Sequence, residues 1–333
     1  DLSWAIAGRN QQRLEEVRDE FLTPDERKKL PVLLADSEDE TSLAALVSQT
    51  RVLCSTVGPY AKYGTPLVAA CAEAGVDYCD LTGEVPWMVE TIRQFHDQAV
   101  ATGARIVHTC GFDSIPSDLG TWFLQQAMIE EHGVPACHVK ARVGRNKGAA
   151  SGGTVASMLN MMEEAGRDPA IRRVMSNPYA LYPAGVEAGQ DGADQTGARR
   201  DPDFDQWTSP FIMAIVNTRV VRRSNALLGF PWGEDFRYDE ALLTRSRHTA
   251  IRNAVAGGAG MLALALGPTR KLAARVLPKP GEGPGEKQRR EGHYEIFFHG
   301  VHPSDRTRDM RARVTGDMDP GYGSTSKMLA EAA

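Results

Sequence analysis

Residues 51–84, RVLCSTVGPYAKYGTPLVAACAEAGVDYCDLTGE, carry the alternation on which the fold turns. The run from Arg51 to Val57, with Val52, Leu53 and Cys54 at its centre, reads as a strand, and it breaks at Gly58-Pro59. A helix starts near Pro66 and stops at Gly75, and VDYCDL is the next strand. Upstream, SWAIAG (3–8) is a short apolar run ending in Gly, with Asn10 in an N-cap position. Leu14, Val17 and Phe21 follow it at helical spacing. PVLLAD (31–36) is another buried-strand pattern, and Leu43, Leu46 and Val47 then share one helix face. Downstream, a helix over residues 86–102 leads into ARIVHTC (104–110). Short strands joined by helical crossovers of about a dozen residues are βαβ units on a parallel sheet covered on both faces.

The chain has 333 residues, a length that suggests two domains, with 42% apolar and 24% charged residues. That composition builds a core and excludes a mostly disordered chain. The net charge is -5, with 38 Lys+Arg against 43 Asp+Glu, so there is no basic excess for a nucleic-acid partner and none is expected. Cys54, Cys71, Cys79, Cys110 and Cys137 lack regular spacing and read as reduced core cysteines of a cytoplasmic protein. His299 and His302 in HGVH have no third ligand at metal-like spacing, so no metal is expected.

In a parallel α/β sheet, ligands bind outside the carboxyl ends of the strands. Those ends are Gly8-Arg9-Asn10, Asp36-Ser37, Ser55-Thr56-Val57-Gly58-Pro59-Tyr60, Asp80-Leu81-Thr82-Gly83-Glu84 and Gly111-Phe112-Asp113-Ser114. Small, polar and Gly-rich ends allow the backbone to approach a nucleotide closely. The strand, G-x-G-x-x-G turn and helix that open a dinucleotide fold are not seen ahead of Asp1. If SWAIAGR is the second strand of such a fold, the expectation is a Rossmann-type sheet lacking its first βα unit and its central strand. Where NAD enzymes place a carboxylate at the end of that second strand, this sequence has Arg9, backed by Asn10, Gln12 and Arg13. A guanidinium forks onto a 2′-phosphate, which favours NADP(H) over NAD.

The second half is read more coarsely. Residues 111–118 lead into a helix, and ACHVKARVG (136–144) reads as a strand. Ser151-Gly152-Gly153-Thr154 opens a helix, either as an ordinary cap or as a set of free N–H groups for an anion or the nicotinamide carboxamide. The stretch from Tyr179 to Trp207 loses periodicity and reads as a loop or lid. PFIMAIVNTRVVRRS (210–224) reads as a long strand, and HYEIFFHGVH (293–302) and MRARVTGD (310–317) as a further pair. Together they predict a second, α+β domain on a largely antiparallel sheet. Ala254–Leu266 is a run of 13 apolar or Gly residues between basic flanks. It is too short to span a bilayer and fits either a buried helix, or a segment that meets an anionic membrane surface or an acyl-bearing partner. PKPGEGPGEKQRREG (278–292) reads as a mobile surface loop.

AGR (7–9), the 53–84 stretch, CGFDSIPSDLG (110–120), SGGT (151–154) and GYGSTSKM (321–328) resemble the saccharopine dehydrogenase-like oxidoreductases, and most closely their trans-acting enoyl reductase branch. The resemblance covers nearly the whole chain. It implies an NADP(H)-binding Rossmann domain over residues 1–118, a substrate and dimerisation domain over 119–322, and the start of a helix at 323–333 that packs back on the first domain. It also implies a phosphate loop and further C-terminal chain outside this sequence. On that resemblance Arg9 with Asn10 would meet the 2′-phosphate and Asp36 the adenine. Ser55, Thr56, Val57, Gly58, Pro59 and Tyr60 would lie along the nicotinamide half. The activity implied is reduction of a carbon–carbon double bond on a lipid or polyketide chain carried by a partner synthase.

Such a reaction needs an electrophile at a thioester carbonyl and a proton for the α-carbon. Tyr60 and Asp113 are the candidate catalytic residues, with Lys62 and Tyr63 nearby in sequence. Two rival readings stay open. One is an amino-acid or imine dehydrogenase using Arg142, Arg145 and Lys147 as a basic pocket. The other is a non-catalytic, lipid- or membrane-associated NADP-binding adaptor, motivated by Ala254–Leu266. A homodimer and a peripheral position at the inner face of the membrane complete the expectations.

Overall fold

The apolar runs that open the chain pair as parallel strands in the computed structural model, which describes residues 3–148, 151–279 and 281–333. β1 (Ile6–Gly8) lies beside β2 (Val32–Leu34), with Ile6 opposite Val32 and Gly8 opposite Leu34. α1 (Gln11–Phe21), α2 (Pro24–Lys29) and α3 (Glu40–Val47) flank these strands. β3 (Val52–Ser55), the short α4 (Tyr60–Tyr63), α5 (Thr65–Ala74), β4 (Asp77–Asp80), α6 (Val85–Thr102) and β5 (Ile106–Val107) continue the alternation. Gly75, at φ 71°, ends α5 in the left-handed conformation that glycine adopts without a Cβ clash. The parallel strands form two sheets, β1-β2 and β3-β4-β5. Numbered as a doubly wound sheet of order 3-2-1-4-5-6, these are strands two to six, and the break falls at the position of strand one.

Two units emerge. The first comprises the residues up to Cys79 together with Glu90–Val107, and the second comprises Asp80–Val89 and His108–Ala332. In the first, Ala72, Ala99 and Ala104 bring α5, α6 and the lead into β5 together, with Phe95 and Ile106 against them.

The second unit holds α7 (Ile115–His132), β6 (His138–Lys147), α8 (Gly152–Arg167), α9 (Pro169–Ser176), β7 (Arg199–Asp201), β8 (Gln206–Ser209) and α10 (Ala214–Leu227). β9 (Arg237–Thr244), α11 (Arg247–Ala265), α12 (Gly267–Val276), α13 (Glu286–Arg290), β10 (His293–Val301), β11 (Met310–Gly316) and α14 (Thr325–Ala332) follow. Its six-stranded sheet has the order β11-β10-β6-β9-β8-β7 and is antiparallel except between β6 and β9. Leu124 and Met128 of α7, Ala214 and Val221 of α10, and Val139, Tyr238, Ile296 and Phe298 of the sheet form the core. Gly120 lets α7 lie directly on the sheet, because a Cβ there would come within 2.5 Å of the Phe298 ring.

Four expectations change. Residues 214–227 are a helix, not a strand: the buried positions Ala214, Asn217, Thr218, Val221, Arg222 and Asn225 recur every three or four residues. Four of those six positions are polar, which hid the period from a count of apolar residues. The stretch after Tyr179 is not a free lid. Asp191 pairs with buried Arg222 at 2.8 Å, Asp194 pairs with buried Arg219, and the Tyr179 hydroxyl accepts from the Asp191 N–H at 2.7 Å. The 278–292 segment contains α13 and is tied down where Asp319 N donates to Arg289 O and Gly152 N to Glu282 O; Pro280 lies outside the described residues. Finally, Ala254–Leu266 is not buried. Ala250 is the buried residue of α11, and the apolar run beyond it is largely exposed. Among the described residues no single helix is long and apolar enough to cross a membrane.

Arg222 also donates to the carbonyls of Pro178 and Tyr238. Arg222→Ala removes the buried cation from the Asp191 carboxylate, leaving it Tyr238 N and the exposed Arg237 at 3.5 Å, and is expected to lower stability by about 3 kcal/mol, read from denaturant midpoints. A loss within the surface-residue range of about 0.5 kcal/mol would show that the loop is not held this way.

Candidate functional site

At the first unit's rim, β1 ends at Gly8 and the chain passes through exposed Arg9 to Asn10, whose side chain caps α1 by accepting from Arg13 N at 2.9 Å. The first turn of α1 contains no acidic residue, and Arg9 is in no ion pair among the described residues. At the end of β2, the Asp36 carboxylate accepts from Glu38 N at 3.1 Å, shaping a turn next to the rim. At the end of β3, Ser55 is buried while Val57 is 49% exposed. Gly58-Pro59 is a cis peptide. Tyr60 is buried, and its hydroxyl donates to the Ser55 carbonyl at 3.1 Å. That phenol braces the turn from inside the first unit. Lys62 is exposed. A free guanidinium beside an acid-free helix start suits a phosphate group, so the donor set fits NADP(H).

The second unit gathers its acids where β4 enters α6 and where β5 enters α7. Asp80 is fully buried; one carboxylate oxygen lies 2.7 Å from His108 Nδ1 and the other accepts from Thr82 N and Thr109 N. The Trp87 ring meets His108 edge-on at 4.9 Å. Buried Glu84 accepts from the Ser157 hydroxyl of α8 at 2.6 Å. Asp113 is joined to Ser114 by a cis peptide and faces Gly83, where an added Cβ would sit 3.9 Å from its Oδ2. Part of this residue's surface stays open while its carboxyl is walled in. Burial, and then the neighbouring Glu240, push that carboxyl up to about 7.

Glu240 on β9 is itself buried and raised by desolvation. Tyr238 donates to it at 2.5 Å and Asn217 of α10 at 2.9 Å. Asp118, one turn into α7, is pushed up to about 6 by burial; Ser224 donates to its Oδ2, while its Oδ1 has no partner. The structure therefore sets Asp113 within reach of Glu240, which the sequence did not single out. Tyr238 and Glu240 lie in a polar strand, RYDEALLT, whose alternation of buried and open residues is the one signal that marks it.

Other sequence candidates turn out to be structural. Arg142 is buried against Asp201 and Asp239, each at 2.7 Å, Arg145 pairs with Glu295 and Lys147 with Glu291. They do not form a basic pocket for substrate carboxylates. Ser151 is an ordinary cap, accepting from Thr154 N, and Gly152 N is already bonded to Glu282 O. His299 sits 3.0 Å from Asp309, and His302 Nδ1 accepts from Ser304 N and Asp305 N. An apolar hollow of about 390 Å³ lies among α8, α9 and the end of α11, lined by Met162, Ala165, Met175 and Ala265.

Residues 1–107 match the saccharopine dehydrogenase NADP-binding domain. A Mycobacterium tuberculosis (strain ATCC 25618 / H37Rv) protein, provisionally named a trans-acting enoyl reductase, is 42% identical over 346 residues, covering 99% of this chain and 81% of that one. A trans-acting enoyl reductase of Mycobacterium bovis (strain BCG / Pasteur 1173P2) is 38% identical over 342 residues, covering 98% of this chain and 80% of that one. The chain belongs to the trans-acting enoyl reductase family. A further relative of that name, from Mycobacterium ulcerans (strain Agy99), is 40% identical over 87% of this chain and 72% of its own. Apo saccharopine dehydrogenase (L-Glu forming) from Saccharomyces cerevisiae has a TM-score of 0.47 and 10% identity, covering 98% of this chain and 84% of its own. Like its family, this trans-acting enoyl reductase homologue is an NADP-dependent oxidoreductase.

The raised Asp113 carboxyl has a consequence for stability. The folded chain keeps its proton up to about pH 7, whereas the unfolded chain releases it near the ordinary value of 3.8. Stability from this group is therefore lost as pH rises through that window. Asp113→Asn is expected to lose less stability than the parent between about pH 4 and about pH 7, measured by denaturant midpoints. Equal losses would mean that Asp113 titrates normally.

Proposed function

We propose that this protein reduces the carbon–carbon double bond of an enoyl thioester on a lipid or polyketide chain carried by a partner synthase, using NADPH. The observation that carries the reading is Asp113, a carboxyl held up to about 7 at a strand-end turn of an NADP-dependent oxidoreductase. The names of the relatives support the substrate class, since a trans-acting reductase works on a chain it does not itself build.

NADPH, when bound, supplies the two electrons and one hydrogen that the β-carbon takes up. Arg9 holds the 2′-phosphate, with Asn10 fixing the start of α1 beside it. Asp36 lies at the adenine side, and Ser55 to Pro59 present backbone to the nicotinamide half. Tyr60 positions that turn through its bond to Ser55 O. Asp113, neutral below about pH 7, delivers a proton to the α-carbon; burial first, and Glu240 second, raise its carboxyl to that value. Residues 1–118 would form the cofactor domain and 119–322 the substrate domain.

NADPH consumption should be seen with an α,β-unsaturated acyl thioester and not with an imine or an amino acid plus NADP. The reverse pattern would favour a saccharopine-type dehydrogenase, and no turnover with any of them a non-catalytic adaptor. With Asp113 as proton donor, kcat/KM falls as pH rises through about 7. Asp113→Asn should lose that limb and lower kcat by about 100-fold with NADPH binding retained. A retained limb would place the proton donor elsewhere. Arg9→Asp is expected to shift preference from NADPH toward NADH by at least about tenfold, measured as the ratio of dissociation constants. An unchanged ratio would remove Arg9 from the phosphate site.

A further inference from the structure

The elbow between α11 and α12 carries a surface that neither cofactor nor reaction uses. Ile251, Val255 and Leu262 follow one another at spacings of 4 and 7 residues, which places them within a wedge of about 40° on one face of α11, and Leu266 caps its end. They are 42%, 65%, 62% and 53% exposed. Leu272 and Val276 extend the apolar surface along α12 at 60% and 80%. Gly257, Gly258 and Gly260 open onto empty space, since a Cβ there would meet nothing within 4 Å. A continuous apolar stripe of this kind marks an interaction site.

Local chemistry sets the bend. Leu266 is extended at the junction, and Pro268, in the first turn of α12, lacks the N–H that would carry the α11 ladder onward. Thr269 Oγ1 donates to Leu266 O, and Arg270 donates to Leu264 O and Ala265 O, satisfying the carbonyls that α11 leaves open. The two helices meet at 107°. Such an elbow suits a helix pair that lies in a surface better than one that crosses it.

Charge selects the surface. All 43 acidic residues of the chain fall outside residues 241–281. Arg245 and Arg247 precede the stripe, Arg252, Lys271 and Arg275 lie along it, and Lys279 follows it. Arg247 stacks over Trp207, while Arg245, Arg252, Lys271, Arg275 and Lys279 are in no ion pair among the described residues. An apolar stripe flanked by unpaired cations, on a chain of net charge -5, matches an interface that is both oily and anionic.

We propose that the α11–α12 elbow docks this protein on an anionic lipid membrane, with Val255, Leu262, Leu272 and Val276 among the acyl chains and the flanking cations at the headgroups. The docking does not rest on the reaction proposed above, and its test reads no turnover. The purified protein is floated with phosphatidylcholine vesicles, with or without about 30% phosphatidylglycerol. It should float with the anionic vesicles and bind them at least about tenfold more tightly than neutral ones, with the difference lost near 0.5 M salt, roughly. The double variant Leu262→Asp/Val276→Asp should lose flotation, and Lys271→Glu/Arg275→Glu should weaken it by about tenfold, both keeping NADPH binding as evidence of folding. Equal flotation with neutral vesicles, or unchanged flotation of both variants, would overturn the proposal. So would a parent that stays in solution while Leu262→Asp/Val276→Asp turns a dimer into a monomer, because a second copy then covers the stripe.

Discussion

A carboxyl group in the middle of a sheet must be given hydrogen-bond donors, and Glu240 has them. It sits on the row Ala312, Phe298, Ala141, Glu240 across β11, β10, β6 and β9, where the neighbouring side chains are apolar. Tyr238 from the same strand and Asn217 from α10 supply its hydrogen bonds. That requirement holds α10 against β9 with a polar face turned inward. The same face carries Arg219 and Arg222, which need Asp194 and Asp191 in turn, so the loop after Tyr179 is drawn down onto the helix. A polar network of this kind is stable only when every member is satisfied. The order of the loop is thus a consequence of one buried acid and the helix that covers it.

Asp113 inherits its character from this arrangement. A carboxyl close to another buried carboxyl, and itself poorly hydrated, resists ionisation. The effect is to keep a proton available near neutral pH without a histidine or tyrosine at that position. Elsewhere in the same unit, Asp80 lies against His108 and accepts two backbone N–H bonds. Two buried aspartates thus sit in contrasting surroundings, a pattern that acid–base sites use.

The parallel alternation was legible because strands covered on both faces are continuous apolar runs, and because Gly8, Gly58-Pro59 and Gly75 mark the stops. Arg9, Asp36, Ser55 to Tyr60 and Asp113 could be named beforehand, since each follows such a run. α10 was not legible. Its buried face contains Asn217, Thr218, Arg222 and Asn225, so hydropathy reported β-branched residues where the spacing of buried positions was helical. β9 was missed for a related reason: Arg237, Asp239 and Glu240 conceal a central strand. Arg142, Arg145 and Lys147 looked like a pocket because their partners, from Asp201 to Glu295, lie far away in the sequence.

The sequence by itself determined the βαβ alternation, the small and polar strand ends and the cation, Arg9, that follows the first of them. These are local properties, written in runs of neighbouring residues and in turn chemistry. Tertiary structure alone decided which acids are buried together, which arginines are neutralised and whether Ala254–Leu266 is core or surface. The physical reason is that ionisation and exposure depend on what packs against a group. Asp113 lies 127 residues before Glu240 in the chain, and only the folded sheet brings its charge to bear.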